Sequence, residues 1–147
     1  MASLLQTIQV SGAGVDLGPR MGGNNTVVGS PATNAETVVC SVPAISDAVV
    51  NSKGVWLNFC VSYTVGTSGT AVQYRVRQGV VAGAGTVVYN SGAITSGITA
   101  ANLVVESING FDASPTFPGQ AYCLTMTVTG GAATSTVSAA TAFYIIV

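Results

Sequence analysis

Nine side chains carry all the formal charge of this sequence: Asp16, Arg20, Glu36, Asp47, Lys53, Arg75, Arg77, Glu106 and Asp112. A soluble domain of 147 residues would ordinarily carry roughly 37, so acid–base, nucleophilic or ion-binding chemistry must be sought among very few groups. Histidine is absent, which removes both the side chain that titrates near neutral pH and the commonest metal ligand. A serine nucleophile would then need Lys53 or a carboxylate as its base. Lys53 stands in an Asn51-Ser52-Lys53-Gly54 turn, where a solvated lysine is the simpler reading. Glycoside hydrolysis needs two carboxylates facing one cleft. Only Glu106 and Asp112 are close in sequence; they flank Asn109-Gly110, a turn signal, and turn hydrogen bonding accounts for Asp112. Gly12-Ala13-Gly14 opens no helix and Gly83-Ala84-Gly85 lacks the Lys-Ser/Thr that completes a phosphate loop. The expectation is a protein that is not an enzyme and holds no cofactor or metal.

Partners are bounded by the same scarcity. Four basic residues scattered along the chain cannot neutralise a run of phosphates, so nucleic acid is not an expected partner. Mean hydropathy is high at +0.57, but Gly, Ser, Thr and Asn interrupt every apolar stretch well short of the 18 residues a spanning helix needs, and no membrane is expected. The first ten residues lack a cationic segment and alternate early with polar groups, unlike a secretory leader. Cys40, Cys60 and Cys123 are odd in number, widely spaced and without a C-x-x-C pair, which favours reduced thiols packed as small hydrophobes over a disulfide framework.

Two features have chemistry of contact rather than catalysis. Arg75 and Arg77 place half of the positive charge on the polar face of one segment, satisfied by Glu106, by Asp112 or by an acceptor across a sheet or subunit boundary, or else free to meet an anion or partner. Trp56, the sole tryptophan, projects opposite a Val/Leu/Phe row, either under a second layer or as an exposed anchor of the kind enriched at interfaces.

The elements that must position these residues are strands. Period-2 alternation dominates and no helical stripe is sustained. From Val55 to Val65 the residues Val55, Leu57, Phe59, Val61, Tyr63 and Val65 share one face; Val72, Tyr74 and Val76 do so in a second segment, and Tyr122, Leu124, Met126 and Val128 in a third. Weaker candidates are Leu4 to Val10, Thr26 to Val28, Glu36 to Val42, Asp47 to Val50, Thr86 to Tyr89 and Leu103 to Ile108, all rich in β-branched residues. Gly-containing turns punctuate them, at Ser52-Lys53-Gly54, Gly83-Ala84-Gly85, Asn90-Ser91-Gly92 and elsewhere. Eight to ten strands predict an all-β, antiparallel β-sandwich of jelly-roll type, with an immunoglobulin-like sandwich as the alternative. Residues 11 to 35 are Gly/Asn/Ser-rich with little to bury, so residues 1–35 read as an N-terminal strand and extended arm, and 36–147 as the sandwich domain. The final strand, ending Phe143-Tyr144-Ile145-Ile146-Val147, is apolar on both faces; it must be central, or covered by another subunit.

Gln73-Tyr74-Arg75-Val76-Arg77-Gln78-Gly79, the Gly/Ala/Ser-rich pair through Thr86 to Ile98, Asp112-Ala113-Ser114-Pro115, Pro118-Gly119 and Tyr122-Cys123-Leu124-Thr125-Met126 resemble small β-sandwich structural proteins of tailed phages and other viruses. These include trimeric jelly-roll capsid decoration (cement) proteins and tumour-necrosis-factor-like vertex or spike domains. The likeness runs over about residues 36 to 147 and lies in scaffold motifs, so it transfers no catalytic site. It implies a homotrimer seated on the major capsid protein at the surface of a virion and made in the host cytoplasm. Scarce charge points the same way, since a dispersed monomer ordinarily relies on mixed surface charge and large apolar patches mark interfaces. The candidate subunit or lattice contacts are Asp16, Arg20, Trp56, Arg75, Arg77, Glu106, Asp112, Tyr144 and Ile146. A carbohydrate- or receptor-binding head, with Trp56, Tyr63, Tyr89 and Tyr144 as a stacking platform, and a small jelly-roll coat protein are the alternative functions.

Overall fold

The computed structural model describes residues 20–45, 52–66, 70–95, 103–130 and 135–147. The candidate strands at Leu4 to Val10 and Asp47 to Val50, and Asp16, lie outside them. Eight strands follow in order: β1 (Arg20–Asn24), β2 (Thr37–Val42), β3 (Val55–Thr64), β4 (Ala71–Gln78), β5 (Val87–Asn90), β6 (Leu103–Asp112), β7 (Tyr122–Thr129) and β8 (Thr136–Ile146). They form two four-stranded sheets, ordered β1-β8-β3-β6 and β2-β7-β4-β5, with every pairing between strands antiparallel. The first strand pairs with the last, the second with the seventh, the third with the sixth and the fourth with the fifth. A long hairpin rolled up in this way is the jelly roll, and it excludes the immunoglobulin-like alternative.

Alternation sets the core. Val55, Leu57, Phe59, Val61 and Tyr63 of β3 face Tyr122, Leu124 and Met126 of β7 and Val72, Tyr74 and Val76 of β4, all buried. Two polar pins cross this apolar layer. The Tyr74 hydroxyl donates to that of Tyr63 at 2.6 Å, the rings meeting edge to face with centroids 6.3 Å apart; burial raises both phenols above their ordinary range, so both stay neutral. The second pin is built on Asp112.

The doubly apolar C-terminal strand is central, between β1 and β3. Its pairing with β3 shifts register between Ser62 and Tyr63, so that Ser62 faces Ala139 and Tyr63 faces Val137. This bulge passes over Ser138 and reverses the phase of the strand. Ala140, Ala142, Tyr144 and Ile146 turn inward, and Phe143 and Ile145 turn outward.

Two local expectations change. The stretch from 11 to 35 carries no period-2 pattern, yet it gives β1 and is tied to the sandwich beyond it. Val27 packs on the core, Val28 N–H donates to Val39 C=O, Asn34 N–H donates to Val128 C=O and the Ser30 hydroxyl accepts from Val137 N–H. Its small residues permit close approach: a Cβ on Gly22 would lie 2.6 Å from the Tyr144 ring, so β1 borrows the apolar cover of β8. Thr26 to Val28 is not a strand. Asn109-Gly110, read as a turn, lies inside β6, because Asn109 is held against Asn58 of β3 and Gly110 faces Val76 and Tyr89 across the sandwich.

Candidate functional site

The two outer sheet faces differ in kind. On β2-β7-β4-β5 the alternation that buries Tyr74 and Val76 sends Arg75 and Arg77 outward, and Glu36, just before β2, reaches over β7 to meet them. Arg77 holds Glu36 with two bonds, Nε to Oε1 at 2.6 Å and an Nη to Oε2 at 3.0 Å. Arg75 lies 3.4 Å from the same carboxylate, and the Thr125 hydroxyl donates to it at 2.5 Å. Arg75 also donates to Gln73, whose amide donates to Asn90 of β5. The Arg77 hydrogen bonds hold the Glu36 carboxyl below its ordinary range against the opposing effect of burial, with Thr125 and Arg75 adding to the lowering. The arginine pair is thus satisfied within its own sheet by Glu36, rather than by Glu106 or Asp112. A fork-to-fork pair among hydrogen-bonded neighbours fixes the register of three strands and leaves little for an incoming anion.

Asp112, at the end of β6, points inward and is 6% exposed. Its Oδ2 accepts from the Tyr122 hydroxyl at 2.9 Å and from Gln78 Nε2 at 2.7 Å, and its Oδ1 accepts from Ser114 N–H at 3.0 Å. The last bond closes a local turn after β6, not at Asn109-Gly110; the other two tie the sheets together. Glu106, six residues earlier, is half-buried on the inner face of β6. Ile146 is also buried, opposite Val55 and Arg20, and Tyr144 is half-buried over Gly22. Asp112 and Ile146 are therefore taken up inside the subunit rather than presented to a partner. Arg20 is placed by its backbone at the start of β1.

The outer face of β1-β8-β3-β6 carries the apolar surface. Trp56 is 52% exposed, and its ring lies 4.6 Å from that of Phe111 in a tilted contact. Gly54 makes this contact possible: at φ +151° it lies where a Cβ would meet the Phe111 ring at 2.4 Å. Cross-strand register continues the row from Phe111 through Trp56 to Ile145, with Asn109, Asn58 and Phe143 beside it. Between the rows is a shallow groove of about 320 Å³ lined by Trp56, Leu57, Asn58, Asn109, Phe143 and Ile145. Farther along β6, Leu103 and Val105 are 65% and 64% exposed. They lie on an edge strand, and among the described residues no backbone bond reaches its outer side. Trp56, Tyr63, Tyr89 and Tyr144 do not form one platform: Tyr63 is core, Tyr144 lies on the inner face, Tyr89 is on β5 of the other sheet, and Trp56 stands with Phe111.

Sequence reasoning singled out Trp56, Arg75 and Arg77 but missed Glu36, Phe111, Phe143, Ile145, Leu103 and Val105. Continuing the alternation of β6 past Asn109-Gly110 would have found Phe111. Cys60 and Cys123 lie on the outer faces of different sheets and are not neighbours; all three thiols are free. Among the described residues no three His, Cys, Asp or Glu side chains gather as a metal cluster would require.

No protein-family model matches the chain, and no curated protein matches it. Solved structures share its fold. A chain from the structure of infectious bursal disease virus, Gx strain, superposes with a TM-score of 0.53 at 16% identity, over 88% of this chain and 32% of its own. One from the infectious bursal disease virus VP2 subviral particle gives 0.53 at 14% identity over 86% and 32%. A chain of Bacillus endospore appendages, a family of disulfide-linked pili, gives 0.41 at 14% identity over 96% of both chains. This chain spans about a third of the virus chains it resembles, and at these identities the likeness is one of fold.

Proposed function

We propose that this protein is a virion structural protein: a homotrimeric capsid decoration (cement) subunit that sits on the major capsid protein at the surface of a particle assembled in the host cytoplasm. The observation that carries the reading is the outer edge of β6. It offers ten residues of strand whose outer side takes no backbone bond among the described residues and, at its start, two outward apolar side chains, Leu103 and Val105, in a chain with nine charged residues. Soluble proteins guard such edges with charge, proline or cover, and β6 has neither proline nor an outward charge. Cover by a second copy or by a lattice protein is the economical solution, since burying one Val or Leu side chain gives about 1.5–3 kcal/mol. The jelly roll shared with virus-particle chains supports the same reading.

Size exclusion coupled to light scattering tests the oligomer, and sedimentation with purified shells tests the seat. The wild-type chain should elute at three times 14.6 kDa and pellet with shells, whereas Leu103→Lys/Val105→Lys should do neither while keeping its β-sheet circular dichroism. A wild-type monomer that ignores shells at micromolar concentration would refute the proposal.

A further inference from the structure

The groove beside Trp56 lies at the opposite end of β6 from Leu103. The eight-residue offset between Leu103 and Phe111 corresponds to about 26 Å along a strand, so contacts at the Leu103 end leave the groove open.

Asn58 Nδ2 lies 2.9 Å from the Ser107 hydroxyl and 2.8 Å from Asn109 Oδ1. These two bonds spend both donors of the Asn58 amide and fix its orientation, leaving Asn58 Oδ1 as an acceptor. The same pairing consumes Asn109 Oδ1 and leaves Asn109 Nδ2 with donors to give. An acceptor and a donor are thus held side by side on adjacent strands, next to Trp56, which is 52% exposed, with Phe143 and Ile145 on the neighbouring strand β8. Among the described residues no charged side chain lines the groove. The electrostatic complement of such a site is a neutral ligand with one apolar face and vicinal groups that donate and accept. A pyranose fits: its ring C–H face stacks on Trp56, one hydroxyl donates to Asn58 Oδ1, and its neighbour accepts from Asn109 Nδ2.

We propose that the groove between Trp56 and the Asn58–Asn109 pair is a binding site for a neutral pyranoside, giving the subunit a glycan-recognition activity separate from its structural role.

Trp56 is the only tryptophan, so intrinsic fluorescence reports on this groove alone. The full chain is titrated with methyl β-galactopyranoside, methyl β-glucopyranoside and methyl α-mannopyranoside, with glycerol as a polyol control and sialyllactose against lactose as the charged arm. At least one neutral pyranoside should change the emission saturably below about 100 mM, and glycerol should not. Asn109→Ala, exposed and outside the core, should weaken binding ~10-fold while the β-sheet circular dichroism is retained. Trp56→Phe, followed by saturation-transfer NMR, should weaken it as well. No saturable response to any of the three pyranosides, an equal response to glycerol, unchanged affinity in Asn109→Ala, or a preference for sialyllactose over lactose would each overturn the site. Native mass on the same samples keeps the two proposals apart: a trimer without binding refutes only the groove, and a monomer that binds refutes only the trimer.

Discussion

Replacing Asp112 with Ala removes one carboxylate and strands three donors. The Tyr122 hydroxyl is the costly one: Tyr122 is fully buried, no other acceptor is paired with it, and an unsatisfied buried donor costs about 1–3 kcal/mol. Gln78 is half-buried and Ser114 exposed, so water can reach both and each loss should stay under about 1 kcal/mol. Against this stands relief of the desolvation carried by a carboxylate that, among the described residues, has hydrogen bonds but no cation. The net expectation is a loss of about 2–4 kcal/mol, with Tyr122→Phe costing about 1 kcal/mol, and the double variant costing less than the two singles together because they share one bond. Urea unfolding followed by circular dichroism at fixed protomer concentration measures this, since stability of an oligomer depends on concentration. The midpoint should fall while the slope holds. A loss under about 0.5 kcal/mol for Asp112→Ala, or strict additivity with Tyr122→Phe, would refute the view that this carboxylate joins the sheets.

Three further outcomes follow from particular side chains. Because the folded-state pKa of Glu36 lies below its ordinary value of 4.5, its contribution is complete above that value and is lost as pH falls through the lowered one; Glu36→Gln should remove part of the acid-side loss of stability, and an unchanged pH profile would contradict the ion-pair reading. Burial pushes the Cys123 thiol up to about 11, Arg77 opposing and Glu36 adding, so Ellman's reagent should modify half-buried Cys60 first in the native protein, and early labelling of Cys123 would place it wrongly. Gly54→Ala puts a methyl into the Phe111 ring and the Asp112 carbonyl and should lower the thermal midpoint by several degrees; an unaltered midpoint and an unaltered Trp56 spectrum would show that the ring is not held there.

The class of fold was legible because its signal is local. Val55 to Val65 alternates without a break, and one face of that strand is the core. What was hidden depends on pairing between distant segments. β1 has no pattern of its own, since Tyr144 supplies the apolar cover over Gly22, and a glycine in sequence says nothing about which ring lies above it. The phase of β8 is set by a bulge at Ser138. Without it, alternation from Val137 would bury Phe143 and Ile145; with it, Tyr144 and Ile146 go inside and the outward pair completes the Trp56 groove. Both choices look equally apolar in sequence, so nothing there tells Tyr144 and Ile146 from Phe143 and Ile145 as the outward pair. Arg75 and Arg77 were rightly seen as a unit, but their acceptor is 39 and 41 residues away in sequence, and only the order β2-β7-β4 brings it over them. Asn109-Gly110 follows a rule of local turn chemistry that cross-strand bonding from Asn58 overrides.

The proposed assembly requires the outer edge of β6 to be covered at its Leu103 end. Native mass spectrometry of the wild-type chain beside Leu103→Lys/Val105→Lys tests that most directly, from one preparation at micromolar concentration. The account predicts three times 14.6 kDa for the wild type and a single folded subunit for the variant. A wild-type monomer, or a variant that still assembles, would contradict it.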